Sequence, residues 1–254
     1  MQKKQILIEG KILTYYTSTR PVSWDRSQSS LVFLHGWMQD GKSFEKIFKI
    51  LEEKNTPYIS LDLPGFGSSQ LIHDNMSIDE YSQVVIKVIE KLQLEKPVLL
   101  GHSFGWRLCI NLGSYYENID KIVLLCAAWI AYKMPPVKYA IVKTWKIILS
   151  LPWLRSLGKR LREGFSSPDM KNAGTMTKIF RNTIAHDLQD KMKQIRLPTL
   201  MIWGESDDQT PVSDGKIIHW HIKGSDFNVL EGTHFIHQEK PEEITDMILK
   251  FIQK

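Results

Sequence analysis

Pro97-Val98-Leu99-Leu100-Gly101-His102-Ser103-Phe104-Gly105 is the stretch on which the reading of this chain turns. An apolar run of strand type leads into a serine with a glycine two positions away on either side. A serine hydroxyl is a poor nucleophile unless the backbone pushes its oxygen outward, beside a base and an anion-stabilising pocket. A sharp strand-to-helix turn does this, and small residues on both sides let strand and helix approach each other. Leu108, Ile110, Leu112 and Tyr116 supply the apolar residues of the helix that follows. The pattern G-x-S-x-G is common by itself; set between a strand and a helix it is specific.

Working outward, six apolar runs read as buried strands: Leu31–His35, Tyr58–Leu63, Val98–Gly101, Lys121–Cys126, Thr199–Trp203 and Asp226–Leu230. Two earlier runs, Ile6–Glu9 and Ile12–Thr17, flank Gly10 and read as a hairpin. Helical periodicity lies between the strands. Phe44, Ile47, Phe48 and Leu51 fall on one face, and Ser77-Ile78-Asp79-Glu80 is a capping box opening a helix with Tyr81, Val84, Val85, Val88 and Leu92. Pro241 starts a last helix, with acids in its first turn and Ile244, Met247, Ile248 and Phe251 inward. Continuous apolar strands alternating with amphipathic helices predict an α/β fold, a mostly parallel sheet covered on both faces.

With 254 residues and 43% apolar content the chain suits one α/β domain with a small insertion. No window reaches the ~20 apolar residues of a membrane span, and no cleavable leader is visible. Cys109 and Cys126 read as a reduced pair in the core, which points to a cytoplasmic protein. A monomer is expected.

A serine nucleophile needs a general base, and the base needs a group that fixes its tautomer. The strand Thr199–Trp203 ends in a turn carrying Asp207 and Asp208, and both are placed to face the edge of the sheet where ligands bind. The last strand ends at Gly232-Thr233-His234, so His234 is the expected base, with His237 the runner-up. The oxyanion is expected to meet two backbone N–H groups, one from Phe104 after the nucleophile and one from Trp37 in the turn after Leu31–His35.

These parts resemble an α/β-hydrolase-fold serine hydrolase, of the group holding carboxylesterases, arylesterases, monoacylglycerol lipases and carbon–carbon bond hydrolases. The resemblance rests on His35-Gly36-Trp37, Asp62-Leu63-Pro64-Gly65-Phe66-Gly67-Ser68-Ser69, Gly101–Gly105, the Gly204…Asp207…Pro211 turn, and His234-Phe235 with Glu239 and Pro241. It implies an eight-stranded, mostly parallel sheet flanked by helices, with a helical cap inserted after the sixth strand. It also favours Asp207 over Asp208 as the acid of a Ser103–His234–Asp207 triad, and it implies no cofactor. Trp106 departs from the family, where a second small residue often follows the elbow glycine.

The core is expected to span 1–128 and 195–254, with 129–194 as the cap. Pro135-Pro136 opens a helix from Val137 to Ser150 that is apolar over most of its circumference. Trp106, Trp129, Trp145 and Phe235 are the expected substrate-binding side chains. Residues 129–165 carry eight basic side chains against Glu163, a net +7 that leaves −2 for the rest of the chain. Such a run is more often a solvated face with snorkelling stems; the alternative is a cap that attracts anionic acyl substrates or an anionic membrane surface weakly. Nucleic acid is not an expected partner, because no binding motif accompanies the charge. His219 and His221 lack a spaced third ligand, so no metal is expected.

The expected substrate is a carboxylic ester of small to medium acyl chain length. Two readings stand beside it. One is hydrolysis of a carbon–carbon bond in a vinylogous diketone, suggested by Gly-His-Ser-Phe-Gly with Arg107 and opposed by Trp106. The other is a ligand-binding member of the fold with little turnover. A serine at the elbow disfavours dehalogenase and epoxide hydrolase readings, which resemble each other in placing an aspartate there.

Overall fold

The computed structural model describes residues 1–18, 30–127, 144 and 174–254. One eight-stranded sheet organises them: β1 Gln2–Ile8, β2 Lys11–Thr17, β3 Leu31–Leu34, β4 Tyr58–Leu61, β5 Val98–His102, β6 Ile122–Leu125, β7 Thr199–Gly204 and β8 Asp226–Leu230. The strand order is β1-β2-β4-β3-β5-β6-β7-β8. β1 and β2 form the antiparallel hairpin at one edge, β2 pairs antiparallel with β4, and every later pair is parallel.

Strand alternation explains why the central runs are apolar at every position. Val32 and Leu34, Leu99, Ile122 and Leu124, and Met201 and Trp203 pack into one core. Their neighbours Leu31 and Phe33, Val98 and Leu100, Val123 and Leu125, and Leu200 and Ile202 pack into the other. Helices α2 (Ile78–Lys91), α3 (Phe104–Gly113) and α6 (Val212–His221) cover the first face. Helices α1 (Glu45–Glu53) and α8 (Pro241–Ile252) cover the second. Between them in the chain lie α4 (Thr177–Ala185), α5 (Gln189–Gln194) and the single-turn α7 (Ile236–Glu239).

Local signals act as their chemistry requires. The Ser77 hydroxyl accepts from the Glu80 N–H at 3.2 Å and the Glu80 carboxylate accepts from the Ser77 N–H at 2.7 Å, which closes the capping box of α2. Phe44 is buried as expected, but it ends a 3₁₀ turn (Gly41–Phe44) set off by the Asp40 side chain, and α1 starts one residue later. β8 differs from the buried strand expected. Among the described residues it is the sheet's edge, paired with β7 alone, and Asp226 and Val229 are exposed.

Cys109 and Cys126 are both buried and unbridged. Among the described residues no helix is long and apolar enough to cross a membrane. Within residues 174–194 of the expected insertion lie a 3₁₀ turn (Gly174–Met176), α4 and α5. The helix expected over 137–150 lies, apart from Thr144, outside the described residues, as do Trp129 and Trp145.

Candidate active site

Ser103 sits where β5 gives way to α3, with φ 47° and ψ −110°. A side chain in that left-handed region costs on the order of 1–3 kcal/mol and persists only where the surroundings over-determine it. They do so here by crowding. A Cβ on Gly105 would lie 2.0 Å from the Leu34 carbonyl oxygen, and one on Gly101 would lie 2.6 Å from the Gly105 backbone. With both positions bare, α3 starts directly against β3 and β5, and Ser103 is pushed to the rim, where it is part-exposed.

Asp207 lies in the turn after β7 and is buried. Its Oδ1 accepts the N–H groups of Gln209 (3.0 Å) and Thr210 (2.7 Å). Its Oδ2 accepts the Thr210 hydroxyl at 2.7 Å and His234 Nδ1–H at 2.9 Å. Burial by itself would raise this carboxyl, but the hydrogen bonds from His234 and Thr210 outweigh it and hold the group below the usual carboxylate range. An ionised acceptor at Nδ1 fixes the proton there and leaves His234 Nε2 as the basic nitrogen.

The two loops meet because Gly204 leaves room. A Cβ at that position would lie 2.3 Å from the Thr233 carbonyl oxygen. Backbone bonds then tie the loops together, from Glu205 N–H to Leu230 O (2.8 Å) and from Ser206 N–H to Gly232 O (2.9 Å). Asp208 is exposed and takes no part.

His102 connects this pair to the elbow. Its Nε2–H donates to the His234 carbonyl oxygen at 2.9 Å, and the two rings stand 4.8 Å apart. A neutral imidazole has one N–H to give and the carbonyl takes it. His102 Nδ1 therefore only contacts Gln39 Oε1, 3.2 Å away, an atom already accepting the Gly36 N–H at 3.0 Å. Burial, then the neighbouring His237 and His234 rings, hold His102 well below the ordinary histidine range. Among the described residues the Ser103 hydroxyl makes no hydrogen bond to the His234 ring in the rotamer present. Catalytic hydrogen bonds commonly close only when substrate is bound.

The expected oxyanion donors lie at the ends of neighbouring strands, Trp37 in the turn after β3 and Phe104 at the start of α3 after β5. Gly36–Gln39 is a tight turn closed by Gln39 N–H to Gly36 O at 3.2 Å, with Met38 at φ 57°. His35 anchors it, donating Nδ1–H to Gly36 O at 2.8 Å and accepting the Leu63 N–H on Nε2 at 3.0 Å. Burial lowers the His35 pKa, so the ring stays neutral in this role. Among the described residues neither the Trp37 nor the Phe104 N–H is hydrogen bonded.

Four buried aromatic rings pack together beside these groups. Trp37 packs against Phe66 (5.0 Å), Phe104 (5.5 Å) and Phe180 of α4 (4.9 Å). Phe66 and Phe180 were not singled out from sequence, because an aromatic residue in a turn or on a short helix carries no signal of what it faces. Of the expected pocket residues, Phe235 is 38% exposed beside His234, with ring centres 5.4 Å apart. Trp106 is fully buried in the core, with the Arg107 guanidinium 5.4 Å from its ring. His237, the runner-up base, is fully buried behind His102 at 4.3 Å and does not reach Asp207. The Asp62 carboxylate is taken up by backbone, accepting the N–H groups of Gly41 (2.7 Å) and Ser68 (2.8 Å).

Comparison with known proteins agrees with this architecture. A family model described as the alpha/beta hydrolase fold matches residues 30–140. The chain is 29% identical over 248 residues to the uncharacterized hydrolase YugF of Bacillus subtilis, covering 89% of this chain and 90% of that protein. It is 24% identical to the putative esterase/lipase 2 of Mycoplasma pneumoniae, with 89% and 90% covered. The crystal structure of a bromoperoxidase from Bacillus anthracis superposes with a TM-score of 0.76 at 21% identity over the full length of both chains, a likeness of fold alone. The chain has the α/β-hydrolase fold.

Proposed function

We propose that this hydrolase cleaves carboxylic esters of small to medium acyl chain length through an acyl-enzyme on Ser103. Ser103 Oγ attacks the acyl carbonyl while its proton passes to His234 Nε2. Asp207 holds the His234 ring and stabilises the imidazolium. The Trp37 and Phe104 N–H groups receive the oxyanion, and His234 returns the proton to the leaving alkoxide. Water, deprotonated by the same nitrogen, then attacks the ester on Ser103 and releases the acid. The basic run of sequence over 129–165 attracts anionic acyl substrates weakly.

The observation that carries this reading is the buried 2.9 Å bond between His234 Nδ1 and Asp207 Oδ2 at the rim that also holds the strained Ser103. Esterase and lipase names among the relatives support the substrate class. The carbon–carbon reading loses support at Arg107. Its guanidinium is buried, with Nη1 on the His186 carbonyl oxygen at 3.1 Å, and burial pulls its pKa down to about 10.

The test is turnover of p-nitrophenyl butyrate by wild type and Ser103→Ala. Loss of the nucleophile is expected to cost ~10⁴–10⁶ in kcat. Equal rates in the two proteins would remove the proposal. Labelling of Ser103 by a fluorophosphonate without ester turnover would favour the ligand-binding reading instead.

A further inference from the structure

We propose that Cys126, Asp207 and His234 together form a binding site for one thiophilic divalent cation, Zn²⁺ or Cd²⁺, whose occupancy is incompatible with His234 acting as a base. The coordination set stands on geometry; its inhibitory consequence rests on the hydrolase reading above.

Cys126 follows β6, Asp207 follows β7 and His234 follows β8, so the parallel order of these three neighbouring strands brings their loops to one place. A sulfur, a carboxylate oxygen and a ring nitrogen from the three all lie within 4.8 Å of one another, and all three residues are buried. The tetrahedral shell of a zinc-sized ion spaces its donors about 3–4 Å apart, so side-chain adjustments of roughly 1 Å close the set. The Thr233 carbonyl oxygen accepts from Cys126 Sγ at 3.9 Å, so a further oxygen lies beside the sulfur. Thr233 is itself clamped by Glu239, which accepts its N–H at 2.8 Å and its hydroxyl at 2.5 Å.

The donor chemistry selects the ion. One thiolate, one imidazole and one carboxylate suit Zn²⁺ and Cd²⁺, whereas Mg²⁺ and Ca²⁺ require oxygen throughout. The balance also closes. The cation takes the thiolate of Cys126, the carboxylate of Asp207 and Nδ1 of neutral His234. One proton leaves the thiol for solvent, and the ring proton moves from Nδ1 to Nε2. Two ligand charges cancel the two of the ion, so the buried site is neutral. With Nδ1 metallated and Nε2 protonated, His234 has no lone pair for the Ser103 proton. Glu205, Ser206 and Thr233, next to two of the ligands in the chain, are exposed.

The experiment titrates CdCl₂ into the untagged full-length protein and follows the ultraviolet charge-transfer band of a Cd–thiolate bond. One Cd²⁺ per chain is expected, with the band lost in Cys126→Ala and kept in Cys109→Ala. Cd²⁺ is expected to raise the Tm of wild type but not of Cys126→Ala. In ester turnover, Cd²⁺ or Zn²⁺ inhibits wild type reversibly to a chelator. Cys126→Ala keeps its metal-free rate and needs at least about tenfold more metal for the same inhibition. Cys126→Ser, closer in shape, gives the same comparison if the alanine variant does not fold. A band that survives in both Cys126 variants, or no band in wild type, overturns the site. Cd²⁺ bound through Cys126 with ester turnover undiminished overturns the competition with the base. Binding as described in a protein that turns over no ester leaves the site standing and removes the hydrolase reading.

Discussion

His102 donates Nε2–H to the backbone carbonyl of His234 across 2.9 Å, so the residue before the elbow serine holds the loop that carries the proposed base. No other side-chain hydrogen bond among the described residues joins β5 to that loop. His102→Leu removes the donor and leaves a buried carbonyl unpaired, a loss of about 1–3 kcal/mol. Because the loop then shifts relative to Ser103, kcat is expected to fall about 10- to 100-fold with KM within about threefold. Steady-state kinetics on p-nitrophenyl butyrate checks the split. A change confined to KM would show that the bond does not position the base.

Gly105→Ala is expected to be far more damaging than an ordinary glycine substitution. Its Cβ would enter the 2.0 Å space before the Leu34 carbonyl oxygen, and neither backbone can retreat inside a packed sheet. A loss above about 3 kcal/mol is expected, or failure to accumulate as folded protein. Gly224→Ala, with nothing near its Cβ and only its φ of 80° to accommodate, is expected to cost about 1 kcal/mol. Urea midpoints compare the two.

Acid stability should depend on His237. The ring is fully buried, neither nitrogen has a hydrogen-bond partner among the described residues, and burial with the nearby His234 lowers its pKa to about 3. An unfolded histidine titrates near 6.5, so as pH falls the unfolded chain binds a proton that the folded one refuses. Stability is therefore lost from about pH 6.5 down to about pH 3, by an amount on the order of a few kcal/mol. His35 and His102 act in the same direction. His237→Leu is expected to flatten this slope and to be neutral or stabilising near neutral pH, since no hydrogen bond is lost. Unfolding at about pH 4 and about pH 8 measures both effects.

Thr210→Val isolates one of the bonds holding Asp207. Losing the 2.7 Å bond from the hydroxyl to Oδ2 should raise the carboxyl toward the ordinary range and cost about 1–2 kcal/mol above that range. The sign follows from a carboxylate lowered in the folded state, whose stabilisation is present above the unfolded pKa and fades as pH falls. A variant with unchanged stability at pH 7 and at acid pH would show that the hydroxyl does not hold the charge.

Much of this was legible in the linear chain because it depends on local backbone demands. Gly101 and Gly105 announce a close strand–helix approach, Ser77 and Glu80 announce a helix start, and unbroken apolar strands announce a sheet buried on both faces. β8 was less legible, since an edge strand and an interior one share the same apolar positions and differ only in what lies beside them. His237 and His234, three residues apart on consecutive turns, could be ranked but not separated. The direction of each ring, one toward Asp207 and one behind His102, follows from packing.

The order and spacing of residues determined the elbow, the strand ends that carry Asp207 and His234, and the α/β architecture, because each is set by interactions within a few residues or by periodic burial. Only the folded chain decided which distant groups share a site. The hold of His102 on His234, the aromatic wall of Trp37, Phe66 and Phe180, and the meeting of Cys126 with Asp207 and His234 join segments separated by tens of residues. Side-chain contacts across parallel strands depend on sheet order and register, and neither is written in local sequence.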